Sequence, residues 1–192
     1  MSLTNWLVVV LADGRFYPRA VNLVVNSNEL PVSCHGSLIH SIGGSRVYIC
    51  SGGEPARNAE KTVWTRAARQ RAFGAQMGGL CTGALALAKA GVLSHLEITP
   101  HWEKMDGPRE TFSMPNPSEK AYVVDGRASA SAGGTTSAEL FLTRLQSDFG
   151  PKFATIAREM MKIADARSPD ARQTNSRAAT LYGRNKRLIN II

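Results

Sequence analysis

The sequence lacks several features that would assign it to a large class of proteins. It contains no apolar run as long as a membrane span, and the apolar segment 6–12 is too short for a secretory signal. It has only three cysteines, Cys34, Cys50 and Cys81, an odd number without metal-ligand spacing. These absences exclude a disulfide scaffold and favour a cytoplasmic protein with reduced thiols. We expect no membrane association, no bound metal and no cofactor.

Acidic residues are scarce towards the carboxyl end of the chain. The 192 residues carry a net charge of +8, and residues 151–192 contain nine Lys and Arg against three Asp and Glu. The length and the 43% hydrophobic content suit one α/β domain followed by a basic tail. A basic tail is usually a solvated segment, although it can approach nucleic acid. Because Phe153 and Tyr182 are the only aromatic residues in this tail and do not alternate with its basic residues, we expect at most non-specific phosphate contacts.

A cysteine lies at a predicted junction of strand, turn and helix. The apolar run 75–80 precedes Cys81, and the helix-forming run 85–90 follows it. A side chain on such a turn projects beyond the carboxyl end of a strand, where open α/β sheets place their sites. The amino end of the helix lowers the cost of a thiolate or a bound anion there. The pattern alone leaves open whether Cys81 belongs to a site or is an ordinary buried cysteine.

The amino-terminal part predicts strands whose connection is unusual. Residues 7–12 form an apolar, β-branched run, which predicts a strand buried on both faces, as in a parallel sheet. Residues 20–25 predict a second strand. The segment 13–19 between them is too short for a parallel crossover. Either these strands are not a standard βαβ pair, or a helix expected here is absent from the numbered chain.

The rest of the pattern alternates between strands and helices. Asp125-Gly126 predicts a hairpin turn, and Gly150-Pro151 predicts the end of a helix. The predicted strands are 31–36, 47–50, 75–80, 98–100, 121–124 and 128–131, and the predicted helices are 56–71, 85–90, 138–149 and 153–164.

Two further stretches place candidate binding residues at the ends of predicted strands. Gly53 and Glu54 follow the strand at 47–50, where small residues suit either a ligand's approach or simply a tight turn. His101, Trp102 and Glu103 follow the strand at 98–100. An aromatic face beside a carboxylate can hold a cation. The alternative is that Trp102 is a core residue and Glu103 is solvated.

The carboxyl-terminal residues depart from this pattern. Residues 167–179 are polar, basic and aperiodic, which predicts a linker. Residues 181–192 begin a new amphipathic pattern that cannot bury its apolar face within its own length. We therefore predict a domain over residues 1–165 and, over residues 166–192, a basic linker with the start of a truncated second domain.

Together these residues resemble the class I glutamine amidotransferase-like superfamily, which includes the PfpI-type peptidases. More narrowly, they resemble the amino-terminal domain of AraC-family transcription regulators. The motifs that carry the resemblance lie at 79–84, 87–93, 99–103, 122–126 and 131–134. The resemblance implies a flavodoxin-like three-layer α/β sandwich with a mostly parallel central sheet. It also implies a homodimer that senses a small metabolite, with the tail leading into an AraC-type helix-turn-helix domain that contacts DNA.

Two departures from the family pattern bear on the function. Family members carry a helix between their first two strands, often with a carboxylate facing the cysteine, whereas here residues 13–19 replace it and Arg19 is basic. We therefore predict either missing segments or a rebuilt sheet edge. Peptidase members place a histidine directly after the cysteine, and the residue here is Thr82. This difference weighs against peptidase activity.

The first functional hypothesis is a ligand sensor without turnover. The resemblance implies amino acids or quaternary-ammonium metabolites as ligands, with Glu103 neutralising a cationic head, Trp102 covering it, and backbone N–H groups near Thr82 holding a carboxylate. The predicted pocket residues are Gly53, Glu54, Cys81, Thr82, His101, Trp102 and Glu103.

The alternative hypothesis is a cysteine enzyme of the hydratase, deglycase or amidase kind. Cys81 would be its nucleophile and His101 its base or orienting group. Such an enzyme needs a third group that orients the base. No candidate carboxylate follows the first predicted strand, which favours the sensor.

Overall fold

The protein was analysed as a computed structural model, which describes residues 7–10, 15–18, 23–25, 31–33, 45–52, 61–93, 97–102, 105 and 117–173. Its strands are β1 (Leu7–Val10), β2 (Arg15–Pro18), β3 (Leu23–Val25), β4 (Pro31–Ser33), β5 (Arg46–Ser51), β6 (Gln76–Cys81), β7 (Tyr122–Asp125) and β8 (Ala128–Ser131). Its helices are α1 (Lys61–Ala72), α2 (Gly83–Lys89), α3 (Thr135–Phe149) and α4 (Pro151–Met160).

Six of these strands form one mixed sheet in the order β2-β1-β5-β6-β8-β7. β6 is parallel to β5 on one side and to β8 on the other, and the remaining pairs are antiparallel. These pairings make β2, β5, β6 and β8 point in the same direction. The sheet is therefore mostly parallel at its centre, as the resemblance implied.

The alternation of side chains along β5 divides the core into two layers. Val47 and Ile49 belong to a cluster that includes Val63 of α1 and Leu85 of α2. Tyr48 belongs to a second cluster with Leu140 of α3. Because successive side chains of a strand point to opposite faces, α1 and α2 cover one face and α3 covers the other. This arrangement confirms the three-layer α/β sandwich.

The aromatic ring of Tyr48 fills the space above Gly78, which has no side chain. Its edge packs against Phe141, with 4.9 Å between the ring centroids. On the neighbouring strand, a Cβ at Gly78 would overlap the Tyr48 ring. The close packing of β5 against β6 on this face therefore depends on glycine at position 78.

The edge of the sheet at β1 differs from the sequence prediction. β1 is antiparallel to both β5 and β2, so the prediction of a parallel strand here is wrong. β2 lies within the segment 13–19 that was expected only to connect strands. Antiparallel neighbours can follow each other closely in the chain, and only residues 11–14 separate β1 from β2. The first two predicted strands are thus not a βαβ pair, and the sheet edge is rebuilt as a hairpin.

The predicted second strand also has a different partner. Its described residues form β3, which pairs with β4 in a separate two-stranded sheet. The predicted strand at 98–100 is reduced to an isolated bridge between Ile98 and Pro117. Neither change moves the cysteine junction, because β6 lies between β5 and β8 in the main sheet.

The carboxyl-terminal elements follow the prediction closely. β7 and β8 form the expected hairpin, with Gly126 at a φ of 53°. α3 ends at Phe149, Gly150 has a φ of 85°, and α4 begins at Pro151. None of the helices in the described ranges is long and apolar enough to cross a bilayer. The predicted amphipathic segment 181–192 lies outside the described residues.

Candidate functional site

Cys81 occupies a tight turn between β6 and α2, as the sequence predicted. It is the last residue of β6 and has a φ of 55°, which is uncommon for a residue with a side chain. A Cβ at Gly79 would overlap the backbone of Ala84, and one at Gly83 would overlap the carbonyl of Ile49. The two glycines let the chain reverse close to its own backbone. Strained backbone of this kind is concentrated at functional sites.

The carboxyl ends of the three parallel strands meet at Cys81. Ser51, the last residue of β5, is its register partner, and the Thr82 N–H donates to the Ser51 carbonyl over 3.2 Å. On the other side, a Cβ at Gly133 would lie 2.8 Å from Cys81 Cβ and 3.1 Å from its Sγ. The side chain of Cys81 therefore lies beside the turn that follows β8, at the edge where such sheets bind ligands.

Thr82 contributes a buried hydroxyl that has no hydrogen-bond partner among the described residues. The residue is only 2% exposed, and its own N–H is already engaged by Ser51. The prediction that backbone N–H groups near Thr82 hold a carboxylate therefore cannot use the N–H of Thr82 itself, and the side-chain hydroxyl is a second candidate donor. A buried hydroxyl without a partner carries a desolvation cost of about 1–3 kcal/mol, which a ligand that accepts its hydrogen would offset.

The amino end of α3 lies next to the same turn. Gly133 and Gly134 have φ values of 100° and 58°, and the Thr136 hydroxyl donates to the Gly133 carbonyl over 2.7 Å. α3 has 15 residues, so its amino end carries the positive end of the helix dipole. This end favours an anionic group close to Cys81.

Ser51 and Gly133 were not predicted as site residues. Both reach Cys81 through strand pairing, β5 with β6 and β6 with β8, which the local sequence does not reveal. The available signal was the Gly133-Gly134 pair at a second junction of strand and helix.

Cys50 is the second described cysteine and differs from Cys81 in its surroundings. Burial raises the pKa of the Cys50 thiol to about 12, and the negative charge of an ionised Cys81 adds to this effect. Cys50 is therefore a neutral thiol at physiological pH. Cys81 remains the candidate for contact with a ligand.

The other predicted site residues are only partly described. His101 and Trp102 are both half-buried, and their ring centroids are 5.7 Å apart at an interplanar angle of 35°. Their common cavity with Cys81 and Thr82 stays a prediction. Gly53, Glu54 and Glu103 lie outside the described residues. In the part of the chain that the structure describes, no three His, Cys, Asp or Glu residues are grouped to hold a metal ion.

The segment before His101 is fixed by polar contacts. Thr99 is 0% exposed, and its hydroxyl donates to the Lys120 carbonyl. The Lys120 ammonium lies 3.2 Å from a Glu97 carboxylate oxygen. Hydrogen bonds from Ser118 and Lys120 lower the pKa of the Glu97 carboxyl. The backbone that carries His101 is thus tied to residues 118–120.

A separate cavity of ≈ 700 Å³ lies between α3 and α4. Its lining includes Tyr122, Glu139 and Arg167, and it includes none of the predicted site residues. The buried Glu139 carboxylate already accepts a hydrogen bond from Arg167 Nε over 2.9 Å. This cavity is therefore separate from the candidate site at Cys81.

No protein-family model matches the chain. Among curated proteins, it is 30% identical over 172 residues to the HTH-type transcriptional regulator CdhR of Pseudomonas aeruginosa, covering 88% of this chain and 50% of that protein. It is also 30% identical over 163 residues to the HTH-type transcriptional regulator GlxA of Rhizobium meliloti, covering 84% of this chain and 50% of that protein. The chain spans about half the length of these relatives.

Solved structures give the same fold. An AraC family transcriptional regulator from Pseudomonas putida matches with a TM-score of 0.66 and 20% identity, over 73% of this chain and 76% of that one. A THiJ/PfpI family protein from Pseudomonas syringae matches with a TM-score of 0.70 and 18% identity, over 88% of this chain and 72% of that one. With the cysteine turn and the mixed sheet, these similarities show that the chain has the fold of PfpI-like proteins and is a relative of HTH-type transcriptional regulators, about half of whose length it matches.

Proposed function

We propose that this chain is the effector-sensing and dimerisation part of an AraC-family regulator and that it binds a small metabolite without turning it over. The relatives that are named as HTH-type regulators support a role in transcription. Because the chain spans about half of them, DNA contact is assigned to a helix-turn-helix domain outside the matched half. The division of the chain at residue 165 is part of this proposal.

The unpartnered Thr82 hydroxyl is the observation that carries the binding proposal. It lies beside Cys81, where the amino end of α3 favours negative charge. A ligand carboxylate at this place would accept the Thr82 hydroxyl hydrogen. His101, Trp102 and Glu103 would then hold the other end of the ligand, with a cationic head against Trp102. These requirements describe an amino acid or a betaine.

A thermal-shift screen of amino acids, glycine betaine and carnitine against the 192-residue chain tests this proposal. A ligand at about 100 times its Kd should raise Tm by about 5–10 °C, since binding to the folded state alone adds about 2.7 kcal/mol. Without ligand, the Thr82→Val variant should melt at or above the Tm of the wild type, because it lacks the unpartnered hydroxyl, and it should lose most of the ligand-induced shift. If no compound raises Tm, or if Thr82→Val responds like the wild type, the binding proposal is wrong.

Two adjacent glycines give a matched pair for locating the site. Gly133→Ala would place a methyl group against Cys81 Sγ, whereas Gly134→Ala would meet no atom within 4 Å. Both positions have positive φ, so both variants carry backbone strain. Only Gly133→Ala should abolish the ligand-induced shift. An equal loss in both variants would place the ligand elsewhere.

The positive φ of Cys81 favours a second candidate function, a cysteine enzyme, because such turns expose nucleophiles in hydrolases. The pH dependence of Cys81 alkylation distinguishes the two functions. A thiolate that persists below about pH 6, together with turnover that Cys81→Ser abolishes, would establish the enzyme. An ordinary thiol with a ligand-induced rise in Tm would support the sensor.

A further inference from the structure

Residues 168–173 pack along residues 119–121. The Ala121 N–H donates to the Ala171 carbonyl over 2.6 Å, and the Gln173 N–H donates to the Glu119 carbonyl over 2.9 Å. Between them, Lys120 and Arg172 form an antiparallel bridge. The start of the predicted linker is therefore attached to the domain as a short strand-like segment along residues 119–121.

The side chain of Gln173 reaches further, into the segment that carries His101. Its Nε2 donates to Thr99 Oγ1 over 2.7 Å and to the Pro100 carbonyl over 2.9 Å. Thr99 is buried, and Pro100 directly precedes His101. The amide group of Gln173 thus holds the Thr99 side chain and the Pro100 backbone, directly before His101 and Trp102.

Two more contacts connect the same segment to the site. The Ala132 N–H donates to the Ala121 carbonyl over 2.9 Å, and Ala132 is followed by Gly133, which lies against Cys81. The Lys120 ammonium lies 3.2 Å from carboxylate oxygens of both Glu97 and Asp170. Residues 168–173 are therefore connected to both sides of the predicted pocket, the His101 side and the Cys81 side.

We propose that Gln173 is a positioning residue through which occupancy of the Cys81 site and docking of residues 171–173 control each other. This inference rests on the proposed function, because it assigns the route by which that site would signal. Coupling between two sites is reciprocal, so a ligand that changes docking must bind with an affinity that docking changes.

One unfavourable feature of the docked state of Gln173 lowers the free-energy cost of its release. Its Oε1 is buried and has no hydrogen-bond partner among the described residues. Release would give this oxygen to water while losing the two bonds of Nε2. The opposing contributions reduce the free-energy difference between docked and released states. A small movement of His101 can therefore shift the balance between them.

Iodoacetamide on Cys81 is the probe that tests the coupling. In a Cys34→Ser, Cys50→Ser background it modifies Cys81 alone, and the attached group occupies the space beside Gly133. Amide hydrogen exchange at Ala121 and Gln173 then reports docking, since both N–H groups donate across the docked segment. We expect modification to change these exchange rates about fivefold or more, the lower end of typical coupling.

Two neighbouring substitutions of similar length isolate the role of Gln173. Gln173→Met removes both bonds to Thr99 and Pro100, whereas Arg172→Met removes only the exposed pair with Glu119. The response of Ala121 to modification should disappear in Gln173→Met and persist in Arg172→Met. If Gln173→Met does not fold by circular dichroism, Gln173→Glu is measured in its place, because it keeps the length and cannot donate.

An unchanged exchange rate after modification, or the same response in both variants, would overturn the inference. The result is independent of the metabolite screen, because the probe is covalent. A metabolite that binds in the screen without any change at Ala121 and Gln173 would refute the coupling and leave the sensor intact. If modification of Cys81 changes exchange at Ala121 and Gln173 but no metabolite binds in the screen, the sensor proposal is wrong and the coupling through Gln173 stands.

Discussion

Gly79 and Gly83 are constrained by backbone atoms, so substitution at either position cannot be relieved by moving a side chain. We predict that Gly83→Ala lowers the free energy of unfolding by about 3 kcal/mol, because its methyl group would overlap the Ile49 carbonyl. Gly52→Ala is the control, since a Cβ there meets no atom within 4 Å. Urea unfolding measures both. A Gly83→Ala variant as stable as the control would show that the turn can open.

The raised pKa of the Cys50 thiol predicts an alkaline loss of stability. The folded protein keeps this proton up to about pH 12, whereas the unfolded chain loses it near the ordinary value of 9.0. The folded state then binds more protons, so the free energy of unfolding falls as pH rises from 9 towards 12.

The difference between the wild type and Cys50→Ala isolates this contribution. The variant should lose less stability than the wild type over that range in urea unfolding. Parallel curves for the two proteins would contradict the assignment to Cys50.

At the scale of single residues, the sequence identifies a candidate site residue when the pattern that marks it lies in consecutive residues. Cys81 was found because a strand, small residues and a helix are consecutive in the chain. Gly133 was missed because it reaches Cys81 only after β8 pairs with β6. The hydrogen bond between Gln173 and Thr99 was hidden for the same reason, since the two residues lie far apart in sequence.

Helix α3 is fastened to the sheet by an ion pair at its carboxyl end. Arg46 of β5 forms two hydrogen bonds with the Asp148 carboxylate, one of them 2.6 Å long from Nη2. The hydrogen bonding by Arg46 lowers the pKa of the Asp148 carboxyl below its ordinary 3.8. The stability that this pair contributes is therefore present above pH 3.8 and is lost as pH falls through the lowered value.

We predict that Asp148→Asn removes this acid-dependent contribution. Because the pair is partly exposed, the loss at neutral pH should be at most about 1 kcal/mol. Asp165→Asn changes an exposed carboxylate elsewhere and serves as the control. The measurement is the midpoint of urea unfolding between pH 2 and pH 7. The same dependence of this midpoint on pH in both variants would contradict the prediction.

Element prediction succeeded where a turn or a helix end has its own residue signal. Asp125-Gly126 marked the hairpin, and Gly150-Pro151 marked the boundary between α3 and α4. The direction of β1 has no such signal, because a buried apolar run is compatible with parallel and antiparallel neighbours. Pairing with β2 and β5 decides it, and that pairing is non-local.

The whole molecule presents an apolar surface on α4. Phe153, Ile156 and Met160 repeat at helical spacing and are 50%, 57% and 77% exposed. Phe149 extends this surface, with its ring centroid 5.2 Å from that of Phe153. Exposed apolar side chains that lie next to one another favour an interaction site. We propose a second copy of the chain as its occupant, in keeping with the proposed dimer.

The flanks of this α4 surface support pairing with itself. Lys152, Arg158 and Glu159 offer both signs of charge, so a two-fold arrangement can bring opposite charges together. We predict that the wild type sediments as a dimer and Phe153→Glu as a monomer with the same circular dichroism. Phe73→Glu changes an exposed aromatic residue in the turn directly after α1 and should stay dimeric. A monomeric wild type would refute the dimer.

The overlap that any side chain at position 78 would make with the Tyr48 ring also constrains how this fold can diverge. A larger side chain at position 78 requires a smaller one at position 48, so a relative with alanine or serine at position 78 should carry a smaller residue at position 48. The two positions should consequently covary among homologues, and a Gly78→Ser protein should regain stability when Tyr48 is shortened to valine.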